Sequence, residues 1–381
     1  VFLTLSLTFV LGIGKQASAS HIIGGEITWA CQGNGTYIFY LKLYRDCTQS
    51  TPVNVIDSLL VANHPSINVV LLTLQSQQDI TQPGCGVSCL GAGAGDVAVE
   101  EFIFASAPIT LGAVPPANGF IFRYNRCCRN SVTNMVGAEN YTINYRAVMY
   151  PLSGLDSNPC YDSSPQFAEN PSALLCSGYQ LSYNSNAIDA DGDSLTYSFV
   201  SAAHEAGTVP YAAGYSFDVP LPGPTLDPSY DLVTIDPITG QIEYNAPGVL
   251  QGKWNIAYVV RAFRCGQLIS ENVREMQVWI IPCSDPNNTP VVNAPTWIAP
   301  AGTTGYNLTV QAGELVSFTL DGVDNDIVNG VPQVLTFEAV GSQFGANFSN
   351  ANAGCQTPPC ATLSNSTPPV SLVGNIGTTF T

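Results

Sequence analysis

Residues 37–44 alternate: Phe39, Leu41 and Leu43 fall on one side of an extended backbone, and Ile38, Tyr40, Lys42 and Tyr44 on the other. The same period of two returns at 140–150, 195–200, 256–263 and 276–281, and each stretch predicts a strand. No long window spaces apolar residues as a helix face does. With 34 glycines and 27 prolines punctuating the chain every few residues, short strands joined by tight turns are expected. The predicted fold class is all-β, as tandem β-sandwich domains of immunoglobulin-like or cadherin-like kind.

The first 13 residues are almost wholly apolar, and Ala17-Ser18-Ala19 supplies the small residues that a signal peptidase needs. Residues 1–19 are therefore expected to be a signal peptide, because about 13 apolar residues are too few for a bilayer that needs about 20. No later stretch is long and apolar enough to be a transmembrane segment. Polar, proline-containing clusters at 157–159 and 284–290 divide the rest into domains at 20–156, 157–284 and 285–381, the last expected to be truncated. An acidic loop before a Leu-Thr-aromatic strand occurs at 189–197 and, less regularly, at 324–337, which suggests two modules of one kind. The opening at Val1 and the end at Thr381 read as those of a fragment.

Composition narrows the partners. A net charge of −17 repels phosphate backbones and argues against nucleic acid. Twelve cysteines in an exported chain read as disulfides. Proximity suggests Cys31 with Cys47, Cys85 with Cys89, Cys160 with Cys176, Cys265 with Cys283, and Cys355 with Cys360. Adjacent Cys127 and Cys128 are expected to bond to different partners, at the expense of one of those pairs.

The sharpest chemical signal is Asp189-Ala190-Asp191-Gly192-Asp193, three carboxylates on alternate residues around a glycine. Gathered in a turn they repel, and a hard, oxygen-seeking cation relieves that cost, so calcium is the expected cofactor; the bland alternative is a solvated turn. Val200 at the twelfth position excludes an EF-hand. Asp285 and Asn287, in an oxygen-rich linker, and Asp324 and Asp326, in the second acidic loop, are further candidate calcium ligands. Catalytic residues are not expected: His204-Glu205 lacks a second histidine four residues on, and there is neither a G-x-S-x-G elbow nor a phosphate-cradling loop. Arg123, Arg126 and Arg129 are expected to pair with carboxylates such as Glu100 and Glu101, or to cap a strand edge, rather than to bind an anion. Trp29, Trp254, Trp279 and Trp297 would make a sugar platform if exposed, but at strand spacing they read as core.

Several phrases resemble one family. Ser20-His21-Ile22-Ile23-Gly24-Gly25-Glu26, Leu43-Tyr44-Arg45-Asp46-Cys47, Arg126-Cys127-Cys128-Arg129-Asn130 and Ser164-Pro165-Gln166-Phe167 are similar to the amino-terminal region of large Bacteroidota cell-surface proteins. Those proteins commonly end in a gliding-motility-associated, type IX secretion sorting domain. The resemblance runs over 20–283 and implies export, display at the outer cell surface, and an adhesive or structural role toward a surface glycan or protein ligand. The alternative is a set of accessory, glycan-binding modules in a larger secreted hydrolase.

Overall fold

The computed structural model describes residues 21–282 except 34, 49–53, 82–87, 94–96, 155–160, 172–173 and 246–248, together with separate pieces between 291 and 380. The expected signal peptide lies outside these residues. The protein is all-β: among the described residues the only helical element is a single 3-10 turn, Ala138–Asn140.

The first eight strands are β1 (Ile22–Cys31), β2 (Thr36–Asp46), β3 (Ile56–Ala62), β4 (Val69–Asp79), β5 (Val99–Ser106), β6 (Ile109–Thr110), β7 (Phe120–Arg126) and β8 (Ile143–Met149). They are followed by β9 (Gln166–Phe167), β10 (Leu174–Cys176), β11 (Leu181–Tyr183), β12 (Ala187–Ile188), β13 (Ser194–Phe199), β14 (Ala203–His204), β15 (Gly207–Thr208), β16 (Thr234–Ile235), β17 (Ile242–Tyr244), β18 (Gly252–Arg264) and β19 (Gln267–Ile281). The main sheet runs β1-β2-β5-β4-β3-β7-β8-β19-β18-β13, and β19 also pairs back to β1. The sheet thus meets itself around a core.

Alternation builds that core. Tyr37, Phe39, Leu41 and Leu43 of β2 point inward while Ile38, Tyr40 and Lys42 between them stay half-buried, because a strand sends successive side chains to opposite faces. Phe39 lies 4.4 Å from Phe122, centroid to centroid, and Trp29 lies 5.8 Å from the same ring. Leu59, Leu72, Phe104 and Tyr145 complete the packing. β1 breaks the alternation, with its first eight residues all buried, because the second half of the chain covers its other face.

That second half centres on the β18–β19 hairpin. Trp254, Ile256, Tyr258 and Val260 of β18 and Met276, Val278 and Ile280 of β19 pack with Phe167, Tyr183 and Tyr244. Along its other edge β19 pairs with β8 at 270–272, with β1 at 274–276, and with β10, in parallel, at 279–281. Ile269 belongs to the first core and Met276 to the second, so one strand serves both. Asp236-Pro237-Ile238-Thr239-Gly240 turns β16 into β17: the Asp236 carboxylate accepts the Ile238 and Thr239 amides at 2.9 and 2.7 Å, and Gly240 takes φ 74°.

The seam between β1 and β19 is charged and buried. Arg274, wholly buried, donates to Glu26 at 2.6 and 3.0 Å, and to the hydroxyls of Tyr183 (2.8 Å) and Tyr44 (3.0 Å). Its guanidinium also stands 4.4 Å from the Phe167 ring centre. Such a pair is tolerated in the interior only when its hydrogen bonds are made. Gly25 lets the strands close, since a Cβ there would overlap the Tyr145 ring.

Several pairings expected from proximity are not those observed. Cys47 bonds Cys89, with Cα atoms 5.5 Å apart, rather than Cys31. Cys31 stands opposite Tyr37 in the β1–β2 hairpin, ten residues and roughly 30 Å from Cys47 at about 3.3 Å per residue. Cys47 is held beside β5 by its amide bond to Ala98 O (3.1 Å), and Cys89 beside β4 by its amide bond to Asp79 (2.8 Å). Because β4 and β5 are neighbours, the two sulfurs meet there, and the Cys85–Cys89 pairing is overturned with the first. Cys127 and Cys128 bond to each other; they lie just past the end of β7 in a bend, where alternate faces no longer separate successive side chains. Cys265 is free and exposed at the β18–β19 turn, and β19 carries the chain about 50 Å away before Cys283. Cys31 and Cys176 are also disulfide-bonded; Cys85, Cys160, Cys283, Cys355 and Cys360 lie outside the described residues.

Arg126 and Arg129 pair with carboxylates as expected, though not with the two acids named. Arg126 meets Asp57 at 3.4 Å and Arg129 meets Glu275, while Glu100 is taken by Arg45 and Glu101 by Lys42 at 3.8 Å. Trp29, Trp254 and Trp279 are core residues, and Trp297 packs on Phe318 at 5.0 Å.

Candidate metal centre

The loop from β12 to β13 carries Asp189, Asp191 and Asp193. It is shaped by Asp189, whose Oδ1 accepts the amides of Asp191 (2.9 Å) and Asp193 (3.2 Å), and by Gly192, whose φ of 80° few other residues adopt. With one oxygen committed to the backbone, Asp189 organises the turn and sends Asp191 and Asp193 forward. There they meet a residue that spacing did not indicate, Asp162: one oxygen from each of Asp162, Asp191 and Asp193 lies within 4.8 Å of the others.

Asp162 arrives from the segment that follows the first core. That segment is sewn to the end of β1: the Ser164 hydroxyl accepts the Trp29 amide at 2.9 Å, the Ser164 amide donates to Trp29 O at 3.0 Å, and the Ser163 hydroxyl accepts the Cys31 amide at 3.1 Å. The Trp29 indole N–H donates to Asp162 Oδ2 at 3.2 Å. Asp191 reaches across to accept the Ser163 amide at 2.6 Å. The loop and the segment therefore grip each other through the carboxylates.

The charge does not balance. Four carboxylates face one guanidinium, Arg264 at the end of β18, which donates to both oxygens of Asp193 at 2.6 Å, reaches Asp191 at 3.5 Å and binds the Tyr161 carbonyl. Asp162 Oδ1 and Asp189 Oδ2 are buried with no hydrogen-bond partner. Burial, then the neighbouring aspartates, push the Asp162 carboxyl well above its ordinary range; burial and the charges of Asp193 and Asp191 raise Asp189 to about 6, despite its amide bonds, and burial raises Asp191. A lone carboxylate out of water must gain a proton or a cation. Calcium takes six to eight oxygens at about 2.3–2.6 Å in adaptable geometry, and an all-aspartate, histidine-free donor set suits such a hard ion.

Asp285, Asn287, Asp324 and Asp326 lie outside the described residues. No cue of spacing marked Asp162, which is 27 residues before Asp189; the nearest signal is its place directly ahead of the Ser163-Ser164-Pro165 run.

No family model matches the chain, and no curated protein matches it. Among solved structures it is similar to the N-terminal four Ig domains of Dscam1 isoform 6.44, at 10% sequence identity over 79% of this chain and 88% of that one. The TM-score is 0.16, too low to carry an argument about the fold, and the all-β class rests on the strands themselves. No helix among the described residues is long and apolar enough to cross a membrane.

Proposed function

We propose that the chain is an exported surface protein with a structural or adhesive role, its β framework stapled by disulfides and clamped by one calcium ion. The observation that carries the calcium reading is the buried, unpartnered Asp162 oxygen beside Asp191 and Asp193. An ion there ties the β12–β13 loop to the segment sewn on β1, and stiffness of this kind is what a spacer or ligand-presenting scaffold needs. The disulfides support an oxidising, extracellular location. The landmarks between 20 and 283 support type IX export and outer-surface display in a Bacteroidota cell.

Isothermal titration of chelator-treated protein with calcium tests the first half: one ion is expected, with a Kd on the order of 10⁻⁴–10⁻³ M, as in extracellular modules, and with binding lost in Asp191→Ala. Absence of calcium heat at any concentration would remove the clamp. Protease shaving of intact cells carrying the full gene tests the second, surface-accessible protein being expected and protection overturning it.

A further inference from the structure

Beyond the clamp, on another side of the second core, lies a cleft of about 580 Å³, within the range of small-molecule sites. We propose that it binds a neutral oligosaccharide. The inference deepens the adhesive reading by naming a ligand class, and it does not depend on calcium.

The cleft has two unlike walls. One is apolar, formed by Ile80, Val97 and Val99 at the ends of β4 and β5, with Leu174 beside them. The other is a bank of amides, Asn184, Asn186 and Gln241, with Asn170 at its edge. A sugar ring has the same division, with C–H groups on its faces and hydroxyls around its rim. Amides suit such a rim because each offers donors and an acceptor side by side.

The amide wall is already in place. The Asn184 amide donates to Thr239 O at 2.9 Å while its Oδ1 accepts the Asn186 amide N–H at 2.8 Å, and Gln241 Nε2 donates to the Ser182 hydroxyl at 2.7 Å. These bonds fix the side chains without using all their capacity. Among the described residues, neither the Asn170 side chain nor the Asn186 Oδ1 has a partner in the protein, and both residues are exposed. A preset site loses less freedom when a ligand arrives.

Charge excludes the other small ligands. Glu169 is the one ionisable acid in the lining, and no lysine, arginine or histidine is there. A sulfated or uronate-rich glycan would find no cation, and would meet a protein of net charge −17. A metal would find a single carboxylate. A wholly apolar ligand would strand the amides.

The test screens the full chain against neutral oligosaccharides of glucose, mannose, xylose and N-acetylglucosamine, alongside alginate and heparin fragments and a peptide library. The best binders are then titrated by calorimetry. Binding to at least one neutral series is expected, with Asn186→Gly, which removes the side chain but keeps the left-handed backbone at φ 45°, weakening it about tenfold, the loss that goes with one hydrogen bond of about 1.4 kcal/mol. Asn170→Arg, at the exposed edge, provides a second variant that does not touch the core and is expected to weaken the same ligand. Asp191→Ala should keep glycan affinity while losing calcium, so the two sites fail separately. No neutral binding up to millimolar ligand, binding confined to acidic glycans or peptides, or full affinity in both groove variants would each overturn the proposal.

Discussion

Replacing Asp162 by Asn separates a metal ligand from an ordinary buried acid, because the two roles predict opposite signs. Without calcium, Asp162 holds an unpartnered oxygen away from water beside Asp191 and Asp193. Asn cannot ionise, keeps an oxygen for the Trp29 indole and offers amide donors beside the Asp191 and Asp193 carboxylates, so in chelator at neutral pH it escapes the cost of burying the charge or holding a proton on the acid and should gain on the order of 1–3 kcal/mol. With calcium at a hundred times Kd, the wild-type protein should gain about 2.7 kcal/mol. For a unit of this size, about 2–4 °C per kcal/mol makes that a rise of roughly 5–10 °C. Asp162→Asn should start a few degrees higher and gain almost nothing from calcium, so the two melting curves change order between the buffers. Scanning calorimetry with EGTA and with calcium at about 10–100 mM, a hundred times the expected Kd, reads this directly. A variant that melts lower in both buffers by the same amount would refute the reasoning and leave Asp162 as a packing residue.

Three further outcomes follow from the same framework. Arg274→Met strands the Glu26 carboxylate in the seam and should cost about 3–5 kcal/mol in urea unfolding, with Glu26→Gln added to it restoring part of the loss. Burial raises the Glu271 carboxyl, but bonds from Arg261 (2.7 Å), Tyr150 (2.8 Å) and Arg146 (3.0 Å) outweigh it and hold the group below its ordinary 4.5. Its stabilising contribution is therefore complete above pH 4.5 and lost as pH falls through the lower folded value, so the stability gap between wild type and Glu271→Gln should close on acidification. Cys47→Ser opens a loop spanning 42 residues and should cost roughly 4 kcal/mol by chain entropy; peptide mapping without reduction should find Cys47 linked to Cys89 and Cys265 alkylated.

Local pattern reached some features and not others, for identifiable reasons. Strand positions were legible in β2 because alternation there records which face meets the core, whereas β18 is buried on both faces from Trp254 to Val260; the Asp236–Gly240 turn was legible because its chemistry is confined to five residues. The acidic loop was legible for the same reason. Asp162 was not, since it enters the cluster through Ser163 and Ser164 binding to β1, more than 130 residues away in the chain. Disulfide partners failed likewise: nearness in sequence says little when a hairpin as long as β1–β2 sends Cys31 and Cys47 to opposite ends. The run Ile22-Ile23-Gly24-Gly25-Glu26 stood out as a phrase, but its reason, a bare backbone against Tyr145 followed by the acid that meets Arg274, lies in the fold.

The same long-range contacts explain why the candidate calcium site sits where it does. β19 closes the first sheet and floors the second core, and the two halves meet along one line, the β1–β19 seam, with Glu26–Arg274 and Arg129–Glu275 buried within it, and again through the apolar cluster of Met135, Ala138, Ala202, Val209 and Ala257. Those ion pairs have directional bonds but little apolar burial of their own, and a buried pair contributes fit more readily than net stability. The clamp lies at the margin of that line, where Trp29 near the end of β1, Arg264 at the end of β18 and the β12–β13 loop converge. A cation binding Asp162, Asp191 and Asp193 bridges both halves beyond the reach of the strand pairing. Its effect should therefore fall on the relative motion of the halves more than on either core, and amide exchange should show calcium protection concentrated at 161–164 and 189–193, with β2 and β7 unchanged.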